Sequence, residues 1–216
     1  MATLVLKFGG TSVADLNYIK HAAKIITQEA KRGNRLIVVV SAMFGETNKL
    51  LDYCQTIGDI QDAREADVAL SSGEQVTSAL MAMAIQNLGF KARSFLGWQI
   101  PLKTSNLHMN AQIDEIDTEI IDSYLEEGGI AVVPGFQGVS DYGRITTLGR
   151  GGSDLTAVAL AAAFDAQRCD IYTDVSGIYF CDPKLVKDGK AIKLDEVTYD
   201  EIIEMSSYGA KVMQYD

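Results

Sequence analysis

Two glycine clusters sit beside cations in this chain: Gly9-Gly10 two residues after Lys7, and Gly149-Arg150-Gly151-Gly152 just before Ser153-Asp154. Glycine loops that end strands and open helices suit phosphate binding, because backbone N–H groups and a helix N-terminus point at the anion. Lys7 and Gly9 share one side of a strand, so the ammonium can reach a phosphate held by the loop. A lysine in an apolar strand is costly without an anionic partner, which favours a functional Lys7 over a solvated one. Lys184 follows Asp182-Pro183, and Lys211 follows Gly209. Asp154 reads either as a first-turn acid that complements a helix dipole or as a carboxylate that holds lysines in place. Glu74, in Ser71-Ser72-Gly73-Glu74, is either another first-turn acid or a group facing a ligand amine.

The elements around these residues alternate. Thr3 to Phe8 reads as a strand, followed by a helix whose Ile19, Ala22, Ala23, Ile26 and Ala30 share a face. Leu36 to Val40 is a continuous apolar run, as in a strand covered on both sides. Helical patterns follow at Asn48 to Ile57, Asp62 to Ala69 and Gly73 to Leu88, then a strand at Ala92 to Leu96. Ile113 to Glu127 reads as an amphipathic acidic helix, Gly129 to Pro134 as a buried strand and Val139 to Thr147 as a polar hairpin. Leu155 to Phe164 is an alanine-rich helix, Cys169 to Asp174 a strand and Asp195 to Ser207 a last helix. The series predicts one α/β domain with a mostly parallel open sheet.

Composition narrows the classes of partner. The 216 residues carry 29 acidic and 19 basic side chains, a net charge of −10 that argues against nucleic acid or an anionic membrane as the main partner. Cys54, Cys169 and Cys181 are widely spaced with no CxxC pair, so neither a disulfide scaffold nor a zinc site is expected, and no metal site is assigned to the protein's own side chains. A reducing, cytoplasmic compartment fits best. Walker, dinucleotide and protein-kinase signatures are all absent.

Together the motifs resemble those of aspartate kinases in the amino-acid-kinase family. Lys7-Phe8-Gly9-Gly10-Thr11-Ser12-Val13 is similar to the family's opening signature. Val39-Val40-Ser41-Ala42-Met43 with Thr47, Ser72-Gly73-Glu74-Gln75, Gly97-Trp98-Gln99 and Gly135-Phe136-Gln137-Gly138 follow in the family's order. Thr146 to Asp154, Thr173 to Tyr179, Asp182-Pro183, Met205-Ser206 and Gly209-Ala210-Lys211-Val212 complete the series. The resemblance spans essentially the whole chain.

It implies a three-layer αβα sandwich around a mainly parallel open sheet. It also implies ATP- and Mg²⁺-dependent phosphorylation of the side-chain carboxylate of L-aspartate, the first step toward lysine, threonine and methionine. By similarity, Lys7, Gly9, Gly10 and Lys211 hold the transferring phosphates, and Asp154 orients the lysines. Thr173, Asp174, Tyr179 and Lys184 match the block that cradles the nucleotide. Ser41, Thr47, Glu74, Arg150 and Ser153 match positions that hold aspartate, with Glu74 facing its amino group and Arg150 a carboxylate.

Longer family members continue beyond the Lys211 motif into regulatory domains, so the resemblance implies that residues 1–216 form a catalytic domain truncated at its C-terminus, without those domains. Two expectations follow: insensitivity to lysine and threonine, and an unfinished sheet edge that favours homo-oligomers. A kinase for another small acid, such as glutamate or acetylglutamate, or for a nucleotide, and a catalytically silent binding module are the alternatives.

Overall fold

The computed structural model describes residues 1–60, 62–175, 177–179 and 192–207. They divide into two compact units, Met1–Thr173 and Asp174–Asp216.

In the first unit, strands β1 (Thr3–Phe8), β2 (Arg35–Val40), β3 (Ala92–Ser94), β6 (Ile130–Pro134) and β9 (Arg168–Tyr172) form a five-stranded sheet in the order β3-β6-β2-β1-β9. All of its pairings are parallel. The continuous apolar runs of β1, β2 and β6 are explained by helices on both faces. Leu4, Leu6 and Phe8 pack with α1 (Leu16–Lys31) and α3 (Ala63–Gln86), through Ile19, Ile26, Met81 and Ile85. Val5, Ile37 and Val39 point the other way, onto α4 (Glu119–Glu126) and α5 (Gly152–Ala163), through Ile121, Leu125, Ala157 and Leu160. Each fully buried Val, Leu or Ile contributes about 1.5–3 kcal/mol to this core. The expected αβα sandwich is thus present.

A second, four-stranded sheet goes beyond the expected architecture. It comprises β4 (Leu102–Thr104), β5 (Ile113–Ile116), β7 (Gln137–Ser140) and β8 (Ile145–Thr147), in the order β5-β4-β7-β8. The β7–β8 pair is the expected hairpin. The acidic helix anticipated from Ile113 is corrected: Ile113–Ile116 pairs antiparallel with β4, opposing Glu115 to Lys103 at 2.7 Å, and the helix starts only at Glu119. Strand pairing overrides the helical spacing of Ile113, Ile116, Ile120 and Ile121.

Helix α2 (Glu46–Ile57) follows β2, and α3 is one continuous helix rather than two, started by Asp62, whose carboxylate accepts from the Arg64 N–H at 2.9 Å. In the second unit, Tyr179 bridges to Lys193, and α6 (Tyr199–Ser207) begins after a capping box. There the Thr198 N–H donates to the Glu201 carboxylate at 2.8 Å, and the Glu201 N–H donates to the Thr198 hydroxyl at 3.3 Å. That cap explains why the helix starts after Thr198 rather than at Asp195. Among the described residues, no helix is long and apolar enough to cross a membrane.

Candidate active site

In the central sheet the chain leaves β2 toward the α1/α3 layer and leaves β6 toward the α4/α5 layer. Neighbouring strands whose connections diverge in this way open a crevice at their carboxyl ends. A cleft of about 480 Å³ lies there, within the size range of small-molecule sites. Lys7, Gly9, Gly10, Ser41, Thr47, Glu74, Arg150, Ser153, Asp154 and Thr173 all line it.

Strand alternation sends Lys7 toward the α5 layer with Val5, at the carboxyl end of β1. Its side chain is buried, 8% exposed, and Nζ stands 2.5 Å from Asp154 Oδ1. Both readings of Asp154 hold in part, since it occupies the first turn of α5 and neutralises a buried ammonium. Gly9 offers no free donor. Its N–H donates to the Tyr172 carbonyl at 3.0 Å, while a Cβ there would lie 3.5 Å from Lys7 Nζ. The amide donors at this end therefore belong to the short 3-10 turn Gly10–Val13, whose first N–H groups have no partner within the turn.

The second glycine loop carries the chain into α5. Gly149 and Gly151 take left-handed φ of 75° and 77°, a conformation that favours glycine, and Gly151 caps α5. The positive end of the α5 dipole thus opens at the cleft with Gly152, Ser153 and Asp154. The end of β6 presses against this turn. A Cβ on Gly135 would come within 2.7 Å of both Ser153 Cβ and Oγ. The next residue, Phe136, holds φ of 70°, pinned by its N–H donating to Thr156 Oγ1 at 3.1 Å and its carbonyl accepting from the Leu148 N–H at 2.9 Å.

Glu74 reaches the cleft from α3 and is only 3% exposed. The preceding Gly73 lets the helix approach the loop after β2, since a Cβ there would meet Ala42 Cβ at 2.9 Å. Glu74 Oε1 accepts from the Ala42 N–H at 3.1 Å, whereas Oε2 is buried without a partner among the described residues. Burial pushes the carboxyl up to about 7, against the smaller opposing pull of backbone hydrogen bonds. A buried carboxylate with one unsatisfied oxygen is suited to a cationic donor such as an ammonium.

Asp174 and Tyr179 belong to the second unit, and Lys184 and Lys211 lie outside the described residues. Among the cleft residues with no role assigned from sequence are Phe44, Asn48 and Phe136. Asn48 adjoins Thr47, and Phe136 lies within a recognised motif, so proximity to motif residues was the available signal.

A model of the amino acid kinase family matches residues 2–215. The chain is 49% identical over 213 residues to an aspartokinase of Geobacillus stearothermophilus, covering 99% of this chain and 52% of that protein. It superposes on the crystal structure of aspartate kinase from Synechocystis with a TM-score of 0.82 and 45% identity, over 97% of this chain and 34% of that one. The corresponding values for E. coli aspartokinase III in complex with aspartate and ADP are 0.85 and 30%, over 98% and 57%. The chain spans about half the length of the curated relatives it matches. With a buried lysine at the end of β1, two glycine turns and a family match along nearly its whole length, the chain belongs to the amino acid kinase family.

Proposed function

We propose that the protein transfers the γ-phosphoryl group of ATP to the side-chain carboxylate of L-aspartate, giving 4-phospho-L-aspartate and ADP. The observation that carries this reading is Glu74 Oε2, a buried carboxylate oxygen without a partner among the described residues, in the same cleft as Lys7. It supports an acceptor with a free amino group, which acetylglutamate lacks. The aspartokinase relatives support aspartate as that acceptor.

The acceptor carboxyl has an ordinary pKa of about 3.9 and is ionised at neutral pH, so no general base is needed. Its oxygen forms a bond to the γ-phosphorus as the bond to the bridging oxygen breaks, and the electron pair leaves with ADP. Lys7 neutralises the charge that develops on the phosphoryl oxygens, Asp154 holds Lys7 in place, and Gly10 and the α5 N-terminus supply preorganised dipoles. Glu74 takes the substrate ammonium and Arg150 a substrate carboxylate, with Ser41, Thr47 and Ser153 as polar contacts. Thr173, Asp174, Tyr179 and Lys184 hold the nucleotide, and Lys211 assists Lys7. Mg²⁺ would enter carried on the ATP phosphates, as is usual for this cation. Bound there, Mg²⁺ neutralises phosphate charge. The family match over residues 2–215 supports reading them as one catalytic domain.

Coupled ADP detection, with hydroxylamine trapping of the acyl phosphate, tests the reaction. Hydroxamate that requires ATP, Mg²⁺ and aspartate, and is not formed with glutamate, is the result expected. ATP binding without hydroxamate would show a silent binding module instead.

A further inference from the structure

Asp67 precedes Glu74 by two helical turns, so the two lie on one face of α3. Its side chain is fully buried and outside the cleft, yet it ties three elements together. Asp67 Oδ2 is 2.6 Å from His108 Nδ1, both oxygens accept from the Met109 N–H at 3.1 and 3.2 Å, and Oδ1 accepts from the Thr147 hydroxyl at 2.6 Å. Thr147 is the last residue of β8, and three residues on the chain reaches Arg150. The Thr147 carbonyl accepts from the Ala111 N–H at 2.9 Å. Met109 holds a left-handed φ of 66°, which bulky residues adopt only where surroundings enforce it. The Asn110 side-chain amide then packs against Gly149, where an added Cβ would force that amide to shift.

The same buried carboxylate thus anchors the helix that carries Glu74, the 108–111 loop, and the strand that delivers the glycine turn with Arg150. We propose that Asp67 is a positioning residue that sets the distance between Glu74 and Arg150, and with it the spacing at which the site grips the amino and carboxylate groups of its acceptor. This rests on the roles proposed above for Glu74 and Arg150. Lys7, Gly9 and Gly10 are carried by β1 and the turn after it, so this tie reaches the nucleotide side of the cleft only indirectly, through Asp154 and the start of α5.

The test compares wild type with Asp67→Ala, which removes every acceptor of this tie, and with the milder Thr147→Val, which breaks only the link to β8. Each variant is expected to raise KM for aspartate about tenfold, with KM for ATP and kcat changed less than about threefold. The double variant should be no worse than Asp67→Ala, because that substitution already removes the acceptor of the Thr147 hydroxyl. A loss of folded protein alone would lower kcat and leave both KM values in place, and that outcome, or an equal rise in both, overturns the proposal. Hydrogen–deuterium exchange gives a readout independent of catalysis. Peptides covering residues 147–152 should exchange faster in both variants while β1 and β2 stay protected; uniform acceleration, or none, overturns it. If wild type lacks aspartate kinase activity, the proposed function fails and exchange alone decides the positioning role.

Discussion

Lys7 Nζ and Asp154 Oδ1 stand 2.5 Å apart, joining the carboxyl end of β1 to the first turn of α5. The pair holds an ammonium where glycine turns from two parts of the chain converge.

Removing that ammonium should strike kcat. Lys7→Ala is expected to lower kcat by about 10² or more, on the scale of losing a preorganised donor. Steady-state kinetics at saturating ATP and aspartate measures this, and a near-wild-type kcat would remove Lys7 from the mechanism.

Removing the carboxylate should strike stability as well. Asp154→Asn leaves Lys7 buried without its counter-charge and is expected to cost about 1–3 kcal/mol, less than for a fully buried pair because the Asp154 side chain is 27% exposed. Adding Lys7→Met should restore most of that loss. Urea denaturation of the single and double variants checks this; a double variant less stable than Asp154→Asn contradicts the reading of a compensated buried charge.

Glu74 predicts an opposed pair of pH effects. Its carboxyl titrates near 4.5 ordinarily and at about 7 in the folded chain, so the native state holds its proton longer than the unfolded state. Its contribution to stability is full below pH 4.5 and falls by up to about 3 kcal/mol as pH rises to 7. Glu74→Gln should lack this loss and melt at higher temperature than wild type at about pH 8, with the difference vanishing near pH 4.5. Aspartate binding should run the other way, because the substrate ammonium needs the ionised form: KM for aspartate should fall as pH rises through about 7. Melting curves and initial rates from about pH 5 to 8 measure both; a pH-independent difference in melting between the two proteins would contradict the raised pKa.

Gly135→Ala should disrupt the site from beneath. The added methyl meets Ser153 Cβ and Oγ at 2.7 Å and its Cα at 2.8 Å, forcing the start of α5 away from β6 at a cost of about 1–3 kcal/mol. Because Asp154 moves with that turn, kcat/KM should fall more than about tenfold even where the variant remains folded. Circular dichroism alongside kinetics separates the two effects; a folded variant with full activity would show that the close approach does not set the site.

Much of the central sheet was legible because its strands are covered on both faces, and an unbroken run such as Leu36 to Val40 fits little but a buried strand. The cleft was legible through its turns: glycines and the residues beside them declare a backbone conformation locally. Of the second sheet only the β7–β8 hairpin was legible, since β4 is three residues long and owes its conformation to partners far along the chain. Ile113–Ile116 shows the cost, because its apolar spacing suits a helix until β4 is placed beside it. Asp67 was illegible for a similar reason: on the sequence it is one more acid in a polar helix, and only packing reveals its bonds. Glu74 left two readings open, and its position well inside α3 removes the first-turn one.

The continuity of α3 makes it a ruler for change in length. Each residue inserted between Asp67 and Glu74 turns everything beyond it by about 100° around the helix axis, so one insertion swings either the anchor or the cleft carboxylate off its face. Substitutions on the exposed side of this span can accumulate freely, whereas a change in the spacing of the two acids cannot be absorbed by slack on either side. Gly58 and its neighbours, before the helix starts, are where this part of the chain can grow or shrink.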